Sequence, residues 1–463
     1  MRSKKIKLSM KIINPATEAI ITELEEDTIE TVKEKYLLLK DGQKQWAKVS
    51  VEERIAAIQK FHDLLEKHKD ELANTLTSEM GKPLQQAYNE INGARGRIKY
   101  FVENAAKYLA EEWVTIEGAT KEKIVYEPLG VIANISAWNY PYLVGVNVFI
   151  PALIAGNAVF YKPSEHASLT GLHIQKLLYE AGVPENCFQT AIGKGEVGEQ
   201  LLQLPLNGYF FTGSYKTGKY IAEKVAHKMV PCQLELGGKD PLYVMDDVEN
   251  IDEVAANALE GVVYNSGQSC CAVERIYVHE KVYDAFVTAY VDKCKQLVIG
   301  DPLNKTTDIG PLSRKDQQAF LLNQVNDAVI LGATIKSGGN IVKGKGYYFE
   351  PTILVNVTHA MEIMREESFG PIVGIQKVQD DAEAITLMQD TNYGLTASVY
   401  SKSFERAEEI MKSMHTGSVY WNCCDRVSAS LPWSGRGASG MGSTLSYQGI
   451  RAFAQPKAYH IRG

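Results

Sequence analysis

Cys270 stands in Asn265-Ser266-Gly267-Gln268-Ser269-Cys270-Cys271, just after an alanine-bearing stretch of helical pattern. Glu235 lies 35 residues earlier, in Leu234-Glu235-Leu236-Gly237-Gly238-Lys239. A nucleophilic thiol and a carboxylate base, each beside a glycine turn, suit an enzyme that forms a covalent intermediate and then hydrolyses it. A free thiol has a pKa near ~8.5, so a nucleophile of this kind needs local help to ionise. A single cysteine says little, because most are inert core filler. Two glycine-flanked segments in this order and at this spacing say more.

The elements that must position them are legible as pattern. Residues 52–78 read as an amphipathic helix with Ile55, Ile58, Phe61, Leu65 and Leu72 near one face, stopped by Gly81 and Pro83. Residues 88–110 repeat the pattern with Ile91, Ile98, Phe101, Val102 and Leu109. Short β-branched runs at 130–137, 158–161, 208–211 and 232–236 then alternate with helical segments, one opening at Ser168 or Thr170 and ending at Gly182, another spanning 216–227. The alternation resumes after Gly238 with strands at 241–245 and 275–279 and helices at 251–264 and 283–297. Strands alternating with helices imply parallel sheets covered on both faces. The expected fold class is α/β, with two Rossmann-like doubly wound domains and a small β arm. The first domain takes residues 1–110 and 129–237, the second 238–436, and the arm 111–128 and 437–463. The arm rests on the alternation in 113–127 and a tail at 452–461 able to pair with it. Long edge strands rarely stay uncovered, so these read as subunit contacts in a homodimer or homotetramer.

Bulk composition narrows the function. A chain of 463 residues is too long for one hydrophobic core. A net charge of −7 argues against a general nucleic-acid or anionic-membrane binder. The seven cysteines, Cys187, Cys232, Cys270, Cys271, Cys294, Cys423 and Cys424, are odd in number and scattered. They fit a reducing cytoplasm better than a disulfide framework, and no Cys/His spacing suggests a metal. The basic N-terminal residues Arg2, Lys4, Lys5, Lys7 and Lys11 read as a solvated end without the apolar run of a secretory signal. The longest apolar stretch, 144–161, is broken by Asn147, Pro151, Gly156 and Asn157 and is too short for a membrane span.

Six segments together resemble the NAD(P)-dependent, non-phosphorylating aldehyde dehydrogenase superfamily. They are Ala137-Trp138-Asn139-Tyr140-Pro141, Lys162-Pro163-Ser164-Glu165, Phe211-Thr212-Gly213-Ser214, Glu235-Leu236-Gly237-Gly238-Lys239, Gly267-Gln268-Ser269-Cys270 and Glu367-Ser368-Phe369-Gly370-Pro371. The likeness runs from about residue 13 to the C-terminus. It implies that Cys270 attacks an aldehyde, that hydride leaves to the cofactor, and that Glu235 activates water against the resulting thioester. It also makes Asn139, with the Cys270 N–H, similar to the family's oxyanion hole; by itself Asn139 would read as a turn-capping residue. The first domain becomes the NAD(P)-binding one and the second the catalytic one.

The same resemblance places the cofactor against Trp138, Lys162, Ser164, Glu165, Gly213, Ser214, Gly218, Leu236, Gly237, Glu367 and Phe369. There is no G-x-G-x-x-G after the first strand, and Gly213 and Gly218 alone would be a plain turn. Lys162 and Glu165 are similar to residues that contact the adenine ribose. A carboxylate at 165 would accept from a 2′-hydroxyl and repel a 2′-phosphate, so NAD is expected, with NADP possible. Glu367 and Phe369 match the positions that hold the nicotinamide ribose and pack beside the ring.

Departures are informative. Tyr215 replaces the frequent Thr after Gly-Ser, and Val148 and Thr444 stand where many relatives carry a Lys and a Glu that pass protons to solvent. The substrate pocket is expected at Tyr140, Val144, Asn147, Tyr264, Ser269, Cys423 and Trp433. Tyr140, Tyr264 and Trp433 match aromatic positions of a cation box in the betaine- and amino-aldehyde branch. A generic apolar pocket for an alkyl or aryl aldehyde is the plainer reading. Some semialdehyde relatives place an Arg at the position of Asn147 to pair with a substrate carboxylate, and its absence weighs against that class. Two alternatives to hydrolytic oxidation stay open: transfer of the acyl group to coenzyme A, and a non-catalytic binding protein on the same scaffold.

Overall fold

The computed structural model describes residues 8–117 and 119–462, and Arg2, Lys4, Lys5 and Lys7 lie outside them. Its first sheet has five parallel strands, in the spatial order Cys232–Glu235, Gly208–Thr212, Val131–Ile135, Ala158–Lys162, Phe188–Thr190. Val131–Ile135 and Ala158–Lys162 are buried at every position, which is why they read as unbroken apolar runs. Chain order reverses between Val131–Ile135 and Gly208–Thr212. A crevice opens at the carboxyl ends of strands at such a switch point. The turn after Val131–Ile135 carries Trp138 and Asn139, and Pro141 then opens the helix Pro141–Ile154 at its first position, where a missing N–H costs nothing.

The second sheet runs Thr334–Ser337, Thr352–Val355, Ile372–Val378, Val273–His279, Asp240–Val244, Thr396–Tyr400, Ser418–Trp421. All pairs are parallel except Thr334–Ser337 against Thr352–Val355. Leu242, Val244, Ile276, Val278, Phe286 and Tyr290 centre one of its two cores.

Three antiparallel strands, Glu112–Thr115, Thr120–Pro128 and Ala454–Arg462, make the arm. The last two pair from Ala454 with Pro128 to Arg462 with Thr120. Trp113, Val114, Ile116, Tyr459 and Ile461 are exposed on it. The arm is narrower than 111–128 with 437–463. Gly440–Met441 pairs with Glu235 and Leu234 on the edge of the first sheet, and Leu445, Ile450 and Phe453 are buried in the first core. The 52–78 stretch is also two helices, Val51–Lys67 and Lys69–Met80, broken at His68. His68 is neither glycine nor proline, so composition carries no stop signal there. Gly81 and Gly182 end their helices with left-handed φ of 88° and 100°, as glycine at that position allows. Among the described residues no helix is long and apolar enough to cross a membrane.

Candidate active site

The helix Ile251–Val263 leads into a turn that presents Cys270. Asn265, Ser266 and Gly267 are all left-handed, with φ of 55°, 55° and 71°. That conformation costs an L-residue ~1–2 kcal/mol, so the turn has to be pinned. The Asn265 N–H donates to Gln86 Oε1 (2.8 Å), Ser266 Oγ donates to Gly310 O (2.9 Å), and the Ser313 N–H donates to Gln268 Oε1 (2.9 Å). A Cβ on Gly267 would stand 2.2 Å from the Gly370 carbonyl, so only glycine allows the two backbones to meet.

Asn139 is buried opposite this turn and clamped from several sides. Its carbonyl accepts from Lys82 Nζ (2.8 Å) and Asn265 Nδ2 (3.1 Å). Its Nδ2 donates one hydrogen to Gln268 O (3.1 Å), leaving the other for a ligand. The Cys270 N–H has no partner among the described residues. Two donors are therefore available beside the thiol. Lys82 is itself fully buried, paired with Glu90, and lies 3.7 Å from the centre of the Tyr140 ring. Glu90 Oε1 in turn accepts from the Tyr142 N–H (2.9 Å), so the ion pair ties the turn to the helix Leu84–Leu109.

Glu235 ends its strand in a buried position and accepts a hydrogen bond from Thr444 Oγ1. Burial pushes its carboxyl up to about 7, opposed by Thr444 and by the Arg97 charge. That places a base near neutral pH. Neighbouring Cys271 borders the same cavity. Its thiol donates to Asp425 Oδ1 (2.9 Å), and its pKa is raised, first by the Cys270 side chain beside it and then by burial.

Two cavities, of about 680 Å³ and 520 Å³, meet at Cys270, Glu235 and Thr212, which border both. The larger one brings together all the expected substrate residues, Tyr140, Val144, Asn147, Tyr264, Ser269, Cys423 and Trp433. The smaller one lies at the switch point and brings together Trp138, Lys162, Ser164, Glu165, Gly213, Ser214, Leu236, Gly237, Glu367 and Phe369. Gly218 does not border it; it lies beneath the Leu236 side chain, where a Cβ would clash at 2.4 Å.

The smaller cavity fits a dinucleotide. A Cβ at Gly237 would stand 2.2 Å from Glu367 Oε1, so glycine there lets that carboxylate pack against the backbone at the strand end. Glu367 accepts from the Gly238 N–H (3.1 Å), and burial pushes its carboxyl up to about 8. Ser214 caps the helix Tyr215–Val225, whose N-terminus opens beside the groove. Burial raises the Glu165 carboxyl, but Lys162 beside it brings it below the usual value overall. The Glu367–Phe369 turn rests on a buried network: Lys239 Nζ donates to Glu274 (2.6 Å) and Ser368 Oγ (3.1 Å), and Glu274 accepts from the Ser368 and Phe369 N–H groups. Phe369 has φ of 51° and meets Trp138 edge-on at 5.5 Å.

Sequence reading passed over Lys82 and Arg97. Arg97 borders the larger cavity, where its Nη1 donates to Asn147 Oδ1 (2.9 Å) and Leu143 O (3.2 Å). The signal was present. Gln86, Asn89, Glu90, Gly93, Gly96 and Arg97 recur at helical spacing and all border that cavity, a polar and glycine stripe on the face that apolar periodicity ignores.

The chain is similar to known proteins in sequence and in fold. The family model described as Aldehyde dehydrogenase family matches residues 2–459. The chain is 35% identical over 402 residues to a succinate-semialdehyde dehydrogenase (NADP+) of Mycolicibacterium paratuberculosis, covering 86% of this chain and 85% of that one. It superposes on the crystal structure of an E. coli NADP dependent enzyme with a TM-score of 0.96 at 30% identity, covering 98% and 95% of the two chains. It superposes on betaine aldehyde dehydrogenase from Staphylococcus aureus in complex with NAD+ with a TM-score of 0.94 at 30% identity, covering 98% and 91%.

Proposed function

This chain belongs to the aldehyde dehydrogenase family and is an NAD(P)-dependent enzyme of it, and from that premise we propose that it oxidises an aldehyde to a free carboxylic acid through a thioester on Cys270. The observation that carries the reading is that Cys270 and Glu235 alone among thiols and carboxylates border both cavities. A carbonyl reaching Cys270 from the larger cavity would set its oxygen against the free Asn139 N–H and the Cys270 N–H. Attack by the Cys270 sulfur forms the C–S bond and moves the carbonyl π electrons onto that oxygen, where the two donors stabilise the charge. NAD(P)+ held in the smaller cavity would supply the hydride acceptor: the aldehyde C–H bond would break, its electron pair leaving with the hydrogen, and the electrons on the oxygen would re-form the C=O of a thioester on Cys270. Glu235 then takes a proton from water as the water oxygen attacks the thioester carbon; the C–S bond breaks, the acid departs and the thiol is restored. Thr444 orients the Glu235 carboxylate, and Arg97 favours its charged form.

The anionic Glu165 at the ribose end of the smaller cavity supports NAD over NADP. The exposed apolar residues of the arm support a homodimer or homotetramer. Retention of Glu235 favours hydrolysis over acyl transfer to coenzyme A, and product analysis with and without coenzyme A separates the two.

The test is Cys270→Ala. Aldehyde-dependent NAD(P)H formation is expected to fall by roughly 10⁴-fold or more, while cofactor binding, followed by fluorescence titration, persists. Wild-type-like turnover in that variant contradicts the proposal.

A further inference from the structure

The larger cavity holds a cation, Arg97, whose influence on Glu235 leaves most of its hydrogen-bond donors unused. Arg97 makes no ion pair among the described residues, and only its Nη1 has hydrogen-bond partners, Asn147 Oδ1 and Leu143 O. The Nε and Nη2 groups of its planar fork have no protein acceptor among the described residues, and Arg97 lines the cavity. A guanidinium keeps its charge in such a place and matches a carboxylate bidentately. Asn147 is buried and fixes the orientation of the fork.

Each of the cavity's other charged groups has a partner or faces solvent. Glu90 is paired with Lys82, Glu235 accepts from Thr444, Asp425 accepts from the Cys271 thiol, and Glu260 and Arg426 are exposed. An aromatic box for a cationic aldehyde is compromised as well, because the Lys82 ammonium already lies against the Tyr140 ring at 3.7 Å. A substrate cation at that ring would face a buried like charge.

We infer that Arg97 is the carboxylate-recognising residue of the substrate cavity, and that the preferred aldehyde carries a carboxylate a few carbons from its carbonyl. The inference rests on the larger cavity being the substrate side of Cys270. Arg97 lies within electrostatic reach of both Cys270 and Glu235, so a short chain held at one end by the guanidinium would bring its carbonyl to the thiol. The cation comes from the helix Leu84–Leu109, across from the helix Pro141–Ile154 that carries Asn147.

The test compares succinic semialdehyde with butanal, its uncharged relative in chain length, and with betaine aldehyde. Wild-type enzyme is expected to favour succinic semialdehyde over butanal in kcat/KM by about ten- to a hundredfold, the worth of one charge-assisted pair. Arg97→Met is expected to collapse that ratio towards one, through KM for the carboxylated substrate, and Arg97→Lys to restore part of it. The effect of Arg97 on Glu235 falls on both aldehydes alike and cancels in their ratio, so a ratio that Arg97→Met leaves unchanged would overturn the inference, and a preference for betaine aldehyde would overturn it too. A second readout is independent of chemistry. Succinate binding by calorimetry is expected to survive Cys270→Ala and to vanish in Arg97→Met. Succinate binding that survives Arg97→Met contradicts the inference, whereas no NAD(P)H from any aldehyde, with succinate binding intact, would count against the Cys270 mechanism instead.

Discussion

The two parallel sheets meet the cleft by opposite ends. The first sheet offers carboxyl ends: Ser136–Asn139 follow Val131–Ile135, Gly213 follows Gly208–Thr212, and Glu235 closes its own strand. The second offers turns that precede its strands: Cys270 comes before Val273–His279, Gly237 and Gly238 before Asp240–Val244, and Phe369 before Ile372–Val378. Two places depart from this: Tyr400 at the carboxyl end of Thr396–Tyr400, and the segment after Ser418–Trp421, which borders the substrate cavity at 422–427. A crevice at the carboxyl edge is a product of doubly wound topology itself. No such crevice comes with an amino edge, so the second half has to build one. There the left-handed non-glycine residues Asn265, Ser266 and Phe369 gather, and buried polar networks hold them. Backbone strain of this kind persists only where the surroundings over-determine it.

The largest effect on that contrast is expected at the buried pair under the second half. Lys239→Met leaves Glu274 buried without its counter-charge and should destabilise the fold by ~3–5 kcal/mol, measured by urea unfolding. Adding Glu274→Leu should recover much of it. A loss under about 1 kcal/mol would mean that the ion pair does not hold the Glu367–Phe369 turn.

An intermediate effect is expected from pH at the carboxyl edge. Burial lifts Glu235 to about 7, so its base form is lost as pH falls through that value. Steady-state turnover limited by thioester hydrolysis should therefore drop about tenfold per pH unit below ~7 and level off above it. A limb near the ordinary carboxylate value would contradict the assigned burial effect, and Glu235→Gln should abolish the limb.

The smallest effect is expected at the far end of the groove. Glu165→Gln removes a negative charge facing the ribose and should raise the NADP-to-NAD ratio of kcat/KM by about tenfold, one lost like-charge contact. An unchanged ratio would place nucleotide discrimination on other residues of the cavity.

What could be read from the sequence follows the same division. Cys270, Glu235 and Asn139 were legible because each stands in a short contiguous segment whose glycines and prolines mark the turn that holds it. The alternation of strands and helices up to residue 297 was legible because buried parallel strands are unbroken apolar runs. Lys82 and Arg97 were not: Lys82 stands outside any periodic pattern, and the stripe that holds Arg97 marks a polar helix face without saying what lies across from it. The polar stripe on Leu84–Leu109 becomes meaningful only once Pro141–Ile154 is placed beside it. The break at His68 was hidden by an apolar stripe that continues through it, with Leu65 and Leu72 both buried. Residues 437–453 looked like part of the arm because nothing local distinguishes a strand that pairs with the first sheet from one that pairs with the arm.

The central claim is that a thioester forms on Cys270 and waits for Glu235. Glu235→Gln mixed with aldehyde and NAD(P)+, quenched in acid and digested for mass spectrometry, tests it most directly. The account predicts a burst of about one NAD(P)H per active site and an acyl group of the substrate's mass on the peptide containing Cys270. Absence of the adduct, with the burst intact, would contradict it.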